Sequence, residues 1–143
     1  MHGFYNMVLR INVSQESYEL QTIPDDILQT RMGGKGLAAH LLLRHNPPGV
    51  DPLSPDNHLI FATGPVSGSP VWGSCRHGIF TKSPQTGFFS ESYSGGKVPE
   101  AIDSAGFDAI VFVGRAPQPT VVSVSATVDV PVDSSLETSG SCA

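Results

Sequence analysis

Residue types suited to binding a ligand gather between Gly64 and Gly96, a stretch that reads GPVSGSPVWGSCRHGIFTKSPQTGFFSESYSGG. Arg76 stands at the mouth of a short strand-like run, Gly78 to Thr81, and a second run, Phe88 to Tyr93, is closed by Ser94-Gly95-Gly96. Bare backbone lets N–H and C=O groups approach a ligand closely, and a guanidinium grips a planar oxyanion such as phosphate through two parallel hydrogen bonds. These residues predict an anion-bearing cofactor held mainly by main chain, with Arg76 as its charged clamp. The competing reading is a plain hairpin with glycine turns and a surface arginine.

Three other groups invite chemistry and are weaker. Cys75, flanked by Arg76 and His77, has neighbours that favour a thiolate, yet adjacent residues on a strand face opposite ways, so no base is held against it. Gly33-Gly34-Lys35-Gly36 looks like a phosphate loop, but its glycines are too close together and Lys35 is followed by glycine rather than a hydroxyl residue. A helix break that lets two helices pack closely explains it better. His40 and His45 share a predicted helix at a spacing that does not align them on one face, which argues against a metal pair.

Composition narrows the field of functions. A formal net charge of -5 is the wrong sign for binding a phosphate backbone, so no nucleic-acid partner is expected. No apolar run reaches the roughly 20 residues that cross a bilayer, and MHGFYNMVLR lacks a secretory pattern, so a cytoplasmic protein with no membrane partner is expected. Cys75 and Cys142 form neither a close pair nor a ligand set and read as free thiols.

The elements that must position Arg76 follow from local patterning. Met7 to Val13 and Tyr18 to Ile23 alternate apolar and polar residues around a polar turn, which predicts a hairpin. Pro24-Asp25-Asp26 starts a short helix running to about Met32, and Leu37 to His45 forms a second. The prolines between Asn46 and Asn57 impose a loop, and Leu59 to Ala62 is a buried strand feeding into Gly64. Lys97 to Ala105 has helical spacing, Ala109 to Val113 is a core strand, and Thr120 to Val130 alternates valine with small polar residues as one long half-exposed strand would. With no regular βαβ alternation, the chain reads as α+β, with short mixed or antiparallel sheets and a few short helices. Residues 1–130 are expected to form a domain and 131–143 a frayed polar tail.

Several phrases, in order and at fixed intervals, carry a resemblance: Gly34-Lys35-Gly36-Leu37-Ala38, Val50 to Asn57, Ala62 to Gly68, Thr81 to Phe88, Ser94-Gly95-Gly96 and Ala105 to Val111. With these the chain resembles the N-terminal domain of the aldehyde ferredoxin oxidoreductase family, the tungsten-pterin enzymes. The resemblance implies a partial pterin-cofactor-binding domain, a base for two molybdopterin ligands that chelate one tungsten and whose phosphates are bridged by magnesium. It implies that Arg76 contacts a pterin, and that Tyr93, Ser94 and Gly95 give backbone contacts to pterin and, through Tyr93, to magnesium. Tyr93 departs from the family pattern, which has asparagine there; a carbonyl contact survives that change and a side-chain contact does not.

The implied activity is oxidation of an aldehyde to a carboxylate, with electrons leaving through a 4Fe-4S cluster to ferredoxin. The cluster cysteines and substrate pocket belong to downstream domains of the family, so this stretch alone is expected to be catalytically silent, and to seek either a second copy, as a homodimer, or those C-terminal domains. The alternative is a non-catalytic interaction or carrier module of the same fold that binds no tungsten.

Overall fold

The computed structural model describes residues 2–124, whose elements run β1 (Met7–Asn12), β2 (Ser17–Thr22), α1 (Asp25–Arg31), α2 (Gly34–His45), β3 (Leu59–Thr63), β4 (His77–Lys82), β5 (Phe89–Ser94), α3 (Lys97–Ser104) and β6 (Ala109–Val113). The strands join one six-stranded mixed sheet in the order β2-β1-β6-β3-β4-β5. Among the described residues only β1 and β6 pair in parallel, Val8 opposite Ala109 through Asn12 opposite Val113. The fold is α+β.

Alternation along each strand decides what it buries. Val8, Ile60, Ala62, Phe80, Ala109, Val111 and Val113 point to one face, where Leu28 of α1 and Leu37, Ala38, Leu41 and Leu42 of α2 seal them. Leu9, Ile11 and Ile110 point to the other and pack on Ile102 of α3 and on Phe107. Helix α1 opens after Pro24 with Asp25 and Asp26 in its first turn and stops where Met32 turns left-handed at φ 58°. Helix α2 starts at Gly34, earlier than its apolar residues suggest. A Cβ on Gly36 would drive into the carbonyl of Arg31, so the glycine lets the two helices meet backbone to backbone.

The long strand expected over Thr120 to Val130 is not formed where it is described. Residues 120–124 are irregular, and Val122 and Val124 lie against the Leu9–Ile11 cluster without ladder pairing. Burial of alternate valines satisfies the hydrophobic pattern with no strand needed. Residues 125–130, the predicted tail at 131–143 and Cys142 lie outside the described residues. Among the described residues no helix is long and apolar enough to cross a membrane.

Candidate functional site

Antiparallel register brings the glycine-rich stretch to one end of the sheet. Thr63 at the end of β3 lies opposite His77 at the start of β4, and His77 lies opposite Ser94 at the end of β5. The next position on each strand, Arg76 and Gly95, is therefore a facing pair. A Cβ on Gly95 would stand 3.3 Å from the Cys75 carbonyl oxygen, 3.7 Å from Arg76 Cδ and 3.8 Å from Arg76 Nε, so the arginine stem lies across bare backbone. Ser67 sets the height of the stem. The Gly64 N–H donates to Ser67 Oγ, and that hydroxyl donates to the Arg76 carbonyl, both at 3.3 Å. Nothing in the local sequence announces this buried serine, because its partners come from two different turns.

The Arg76 side chain is exposed, and no described carboxylate pairs with it; the ion pairs among the described residues are Arg10 with Glu19 and Lys35 with Glu91. Two helices begin at the same sheet end. Gly33, the cap of α2, lies over Thr63 and Gly64, and Gly96, the cap of α3, accepts a hydrogen bond from Cys75 Sγ at 3.2 Å. Neither cap has a side chain to satisfy the first N–H groups, and in α3 Pro99 contributes no donor. The first N–H groups and the helix dipoles give both helix starts positive potential, that of α3 directly after Gly95, on which the Arg76 stem lies.

Tyr93 lies on the edge strand β5. Beyond the turn Ser83 donates its N–H to the Phe88 carbonyl at 2.8 Å. From that bond the antiparallel alternation makes Thr81 with Ser90, Ile79 with Ser92 and His77 with Ser94 the pairs that exchange ladder bonds. Tyr93, one step out of phase, turns its N–H and C=O to the free edge. Its ring meets Phe80 edge-on at 5.8 Å, and its hydroxyl donates to Glu91 Oε2 at 3.1 Å.

Glu91 also pairs with Lys35 at 2.7 Å. Their mutual hydrogen bond raises the lysine pKa and lowers that of the carboxylate, while desolvation and then Glu91 raise the tyrosine. Lys35 is thus paired with a carboxylate. The Lys35–Glu91–Tyr93 chain is one that sequence reasoning missed; the spacing of Glu91 and Tyr93 on one strand face was the available signal.

Cys75 does not have the lowered pKa that its neighbours Arg76 and His77 suggested. Desolvation, then a hydrogen bond with Glu100, push the thiol up and outweigh Arg76. His77 is buried against Phe61, rings stacked 6.2 Å apart, and desolvation lowers its pKa. Among the described residues no three His, Cys, Asp or Glu side chains could hold a metal together. The sheet end offers instead an uncompensated guanidinium, outward peptide groups and two positive helix ends. That set fits an anionic organic ligand and a hard cation bound by a carbonyl oxygen, rather than a metal bound directly by side chains.

A family model described as the N-terminal domain of aldehyde ferredoxin oxidoreductase matches residues 8–138. The chain is 38% identical over 122 residues to a tungsten-containing aldehyde ferredoxin oxidoreductase of Pyrococcus furiosus, covering 85% of this chain and 20% of that protein. It is 34% identical over 125 residues to the protein so described in Pyrococcus horikoshii, covering 87% and 21%. A solved structure, the active-site complex BamBC of benzoyl coenzyme A reductase with 1,5-dienoyl-CoA, superposes with a TM-score of 0.83 at 32% identity, over 86% of this chain and 19% of that one. The chain thus spans about a fifth of the length of the curated relatives it matches.

Proposed function

Since this chain belongs to the aldehyde ferredoxin oxidoreductase family, as the match over residues 8–138 establishes, we propose that its Arg76 end is one wall of the seat for a tungsten-pterin cofactor. The observation that carries the reading is Arg76 itself: its stem rests on Gly95, and its guanidinium has no described carboxylate to neutralise it. In this reading Arg76 would grip an anionic group of the pterin, Ser94 and Gly95 would offer main chain beneath it, and the Tyr93 carbonyl at the sheet edge would hold a magnesium ion.

When bound, such a cofactor supplies two-electron oxidation of an aldehyde to a carboxylate, with electrons passing by an iron–sulfur cluster to ferredoxin. What this chain contributes is placement. Ser67 fixes the height of Arg76, and the Phe80 ring and Glu91 fix Tyr93, so the ligand meets groups already in position. Cluster and substrate pocket are assigned to the four fifths of the relatives' length that this chain does not span.

Elemental analysis of protein purified from tungstate-supplied cells tests the reading. Tungsten approaching one equivalent, lost in Arg76→Ala with the circular dichroism unchanged, is the expected result. Tungsten in neither protein favours a non-catalytic interaction module of the same fold.

A further inference from the structure

At the far end of the sheet from Arg76, the ends of β1 and β6 meet the C-terminus of α2 and the proline-rich loop. Between them is a cleft of about 360 Å³ whose walls include Arg10, His45, Asp56 and His58. The His45 and His58 rings lie 5.9 Å apart, centroid to centroid, inclined at 37°. Chain spacing argues against His40 as the companion of His45; the fold supplies His58.

The surroundings of His58 fix its tautomer. Asn57 Nδ2 donates to the carbonyls of Pro52 and Lys82 at 2.8 and 3.1 Å, so Asn57 Oδ1 faces Asn46 and accepts from its Nδ2 at 2.9 Å. Asn46 Oδ1 is then the atom facing His58, where it accepts the backbone N–H at 3.2 Å. His58 Nδ1, 2.6 Å from the same oxygen, must carry a proton, and Nε2 must carry a lone pair. Among the described residues, the side-chain nitrogens and oxygens both sealed from solvent and without a partner are Ser54 Oγ and His77 Nδ1. Nε2 of His58 is therefore not both sealed and partnerless, and His58 lines the cleft. An imidazole that donates from one nitrogen to a carbonyl and leaves the other bare is oriented as metal-ligating histidines are.

We propose that His45 and His58 together bind one borderline divalent cation of the zinc class, with water completing its coordination. An ion about 2.1 Å from a ring nitrogen stands about 3.2 Å from that ring's centroid, so two rings on one ion span at most about 6.4 Å. The observed 5.9 Å falls within that reach. The negative end of α2 terminates at His45, which favours a cation there. The charges facing the pair are Arg10 and Glu19 from β1 and β2, His40 and Arg44 from α2, and Asp56 from the loop. Arg10 is already matched by Glu19 at 3.1 Å.

Zinc titrated calorimetrically into EDTA-dialysed protein decides the matter, in a His2→Gln background that removes the imidazole beside the amino terminus. One equivalent should bind, and binding should weaken about tenfold or more in His45→Gln and in His58→Gln. His45 is exposed, so its variant keeps the fold and the result stands even if His58→Gln does not. His40→Gln and Arg76→Ala should bind as the parent does. Long-range proton–nitrogen spectra should show Nε2 of His58 shifting on zinc addition while its Nδ1 keeps its proton. No binding by the parent, parental affinity in His45→Gln, or a shift at Nδ1 instead would overturn the site.

Discussion

A titratable side chain records its surroundings in its proton affinity, and three histidines here report the same thing. Desolvation depresses His45, His58 and His77, so in each the folded state binds protons less readily than the unfolded chain. Their contribution is intact above the unfolded value of about 6.5 and is lost as pH falls below it through the depressed folded values. Asp108 acts in the opposite sense: burial raises its carboxyl even though the backbone N–H groups of Tyr5 and Met7 donate to it at 3.1 Å each. Its contribution is lost as pH rises through its raised value. Urea midpoints measured in EDTA should fall between pH 7.5 and 5.5, and His58→Gln should flatten that fall; a slope unchanged in the variant would assign it elsewhere. Cys75 provides a second residue-level expectation. With its thiol pushed up by desolvation and Glu100, it should react with iodoacetamide at pH 7 more slowly than free cysteine, and Glu100→Gln should speed it.

Among the elements, the contact of α1 with α2 through Gly36 is the sharpest constraint. Gly36→Ala places a methyl against the Arg31 carbonyl and should lower stability by about 1–3 kcal/mol in denaturant unfolding, although alanine is the better helix former. Phe80, fully buried between the sheet and α2, should lose about 3–5 kcal/mol on truncation to alanine. Elements written in local pattern were legible: the β1–β2 hairpin, the proline-started helix α1, the two runs that became β4 and β5, and the apolar β6. Two kinds of feature were not. Over residues 120–124 the pattern imitates a strand because packing of Val122 and Val124 against Leu9 and Ile11 also rewards alternate valines. The approach of His45 to His58, and the hydroxyl of Ser67 joining Gly64 to Arg76, depend on loops whose course no local periodicity encodes. At the Arg76 end the residue types were readable, since glycine and arginine carry their chemistry with them; the outward turn of the Tyr93 peptide groups was not, because it depends on ladder phase set by the Ser83–Phe88 bond.

For the whole molecule, what is left uncovered matters as much as what is packed. Among the described residues β5 is an outer strand with no further strand beside it, and Leu43, Leu53, Trp72 and Phe88 are largely exposed, Trp72 at 99%. Such surfaces draw partners. The isolated chain should associate with itself, most simply as a two-fold dimer. Sedimentation showing monomer alone at high concentration would reject that. The central parallel pair imposes an order of events. During synthesis the first strand leaves the ribosome some hundred residues ahead of its inner neighbour β6, which is also the neighbour of β3. Until β6 emerges, the hairpin made first and the three-stranded piece made later have no shared hydrogen bond to join them. A nascent chain arrested before Phe107 should therefore stay protease-sensitive throughout, and one extended well past Val113 should become resistant in a single step.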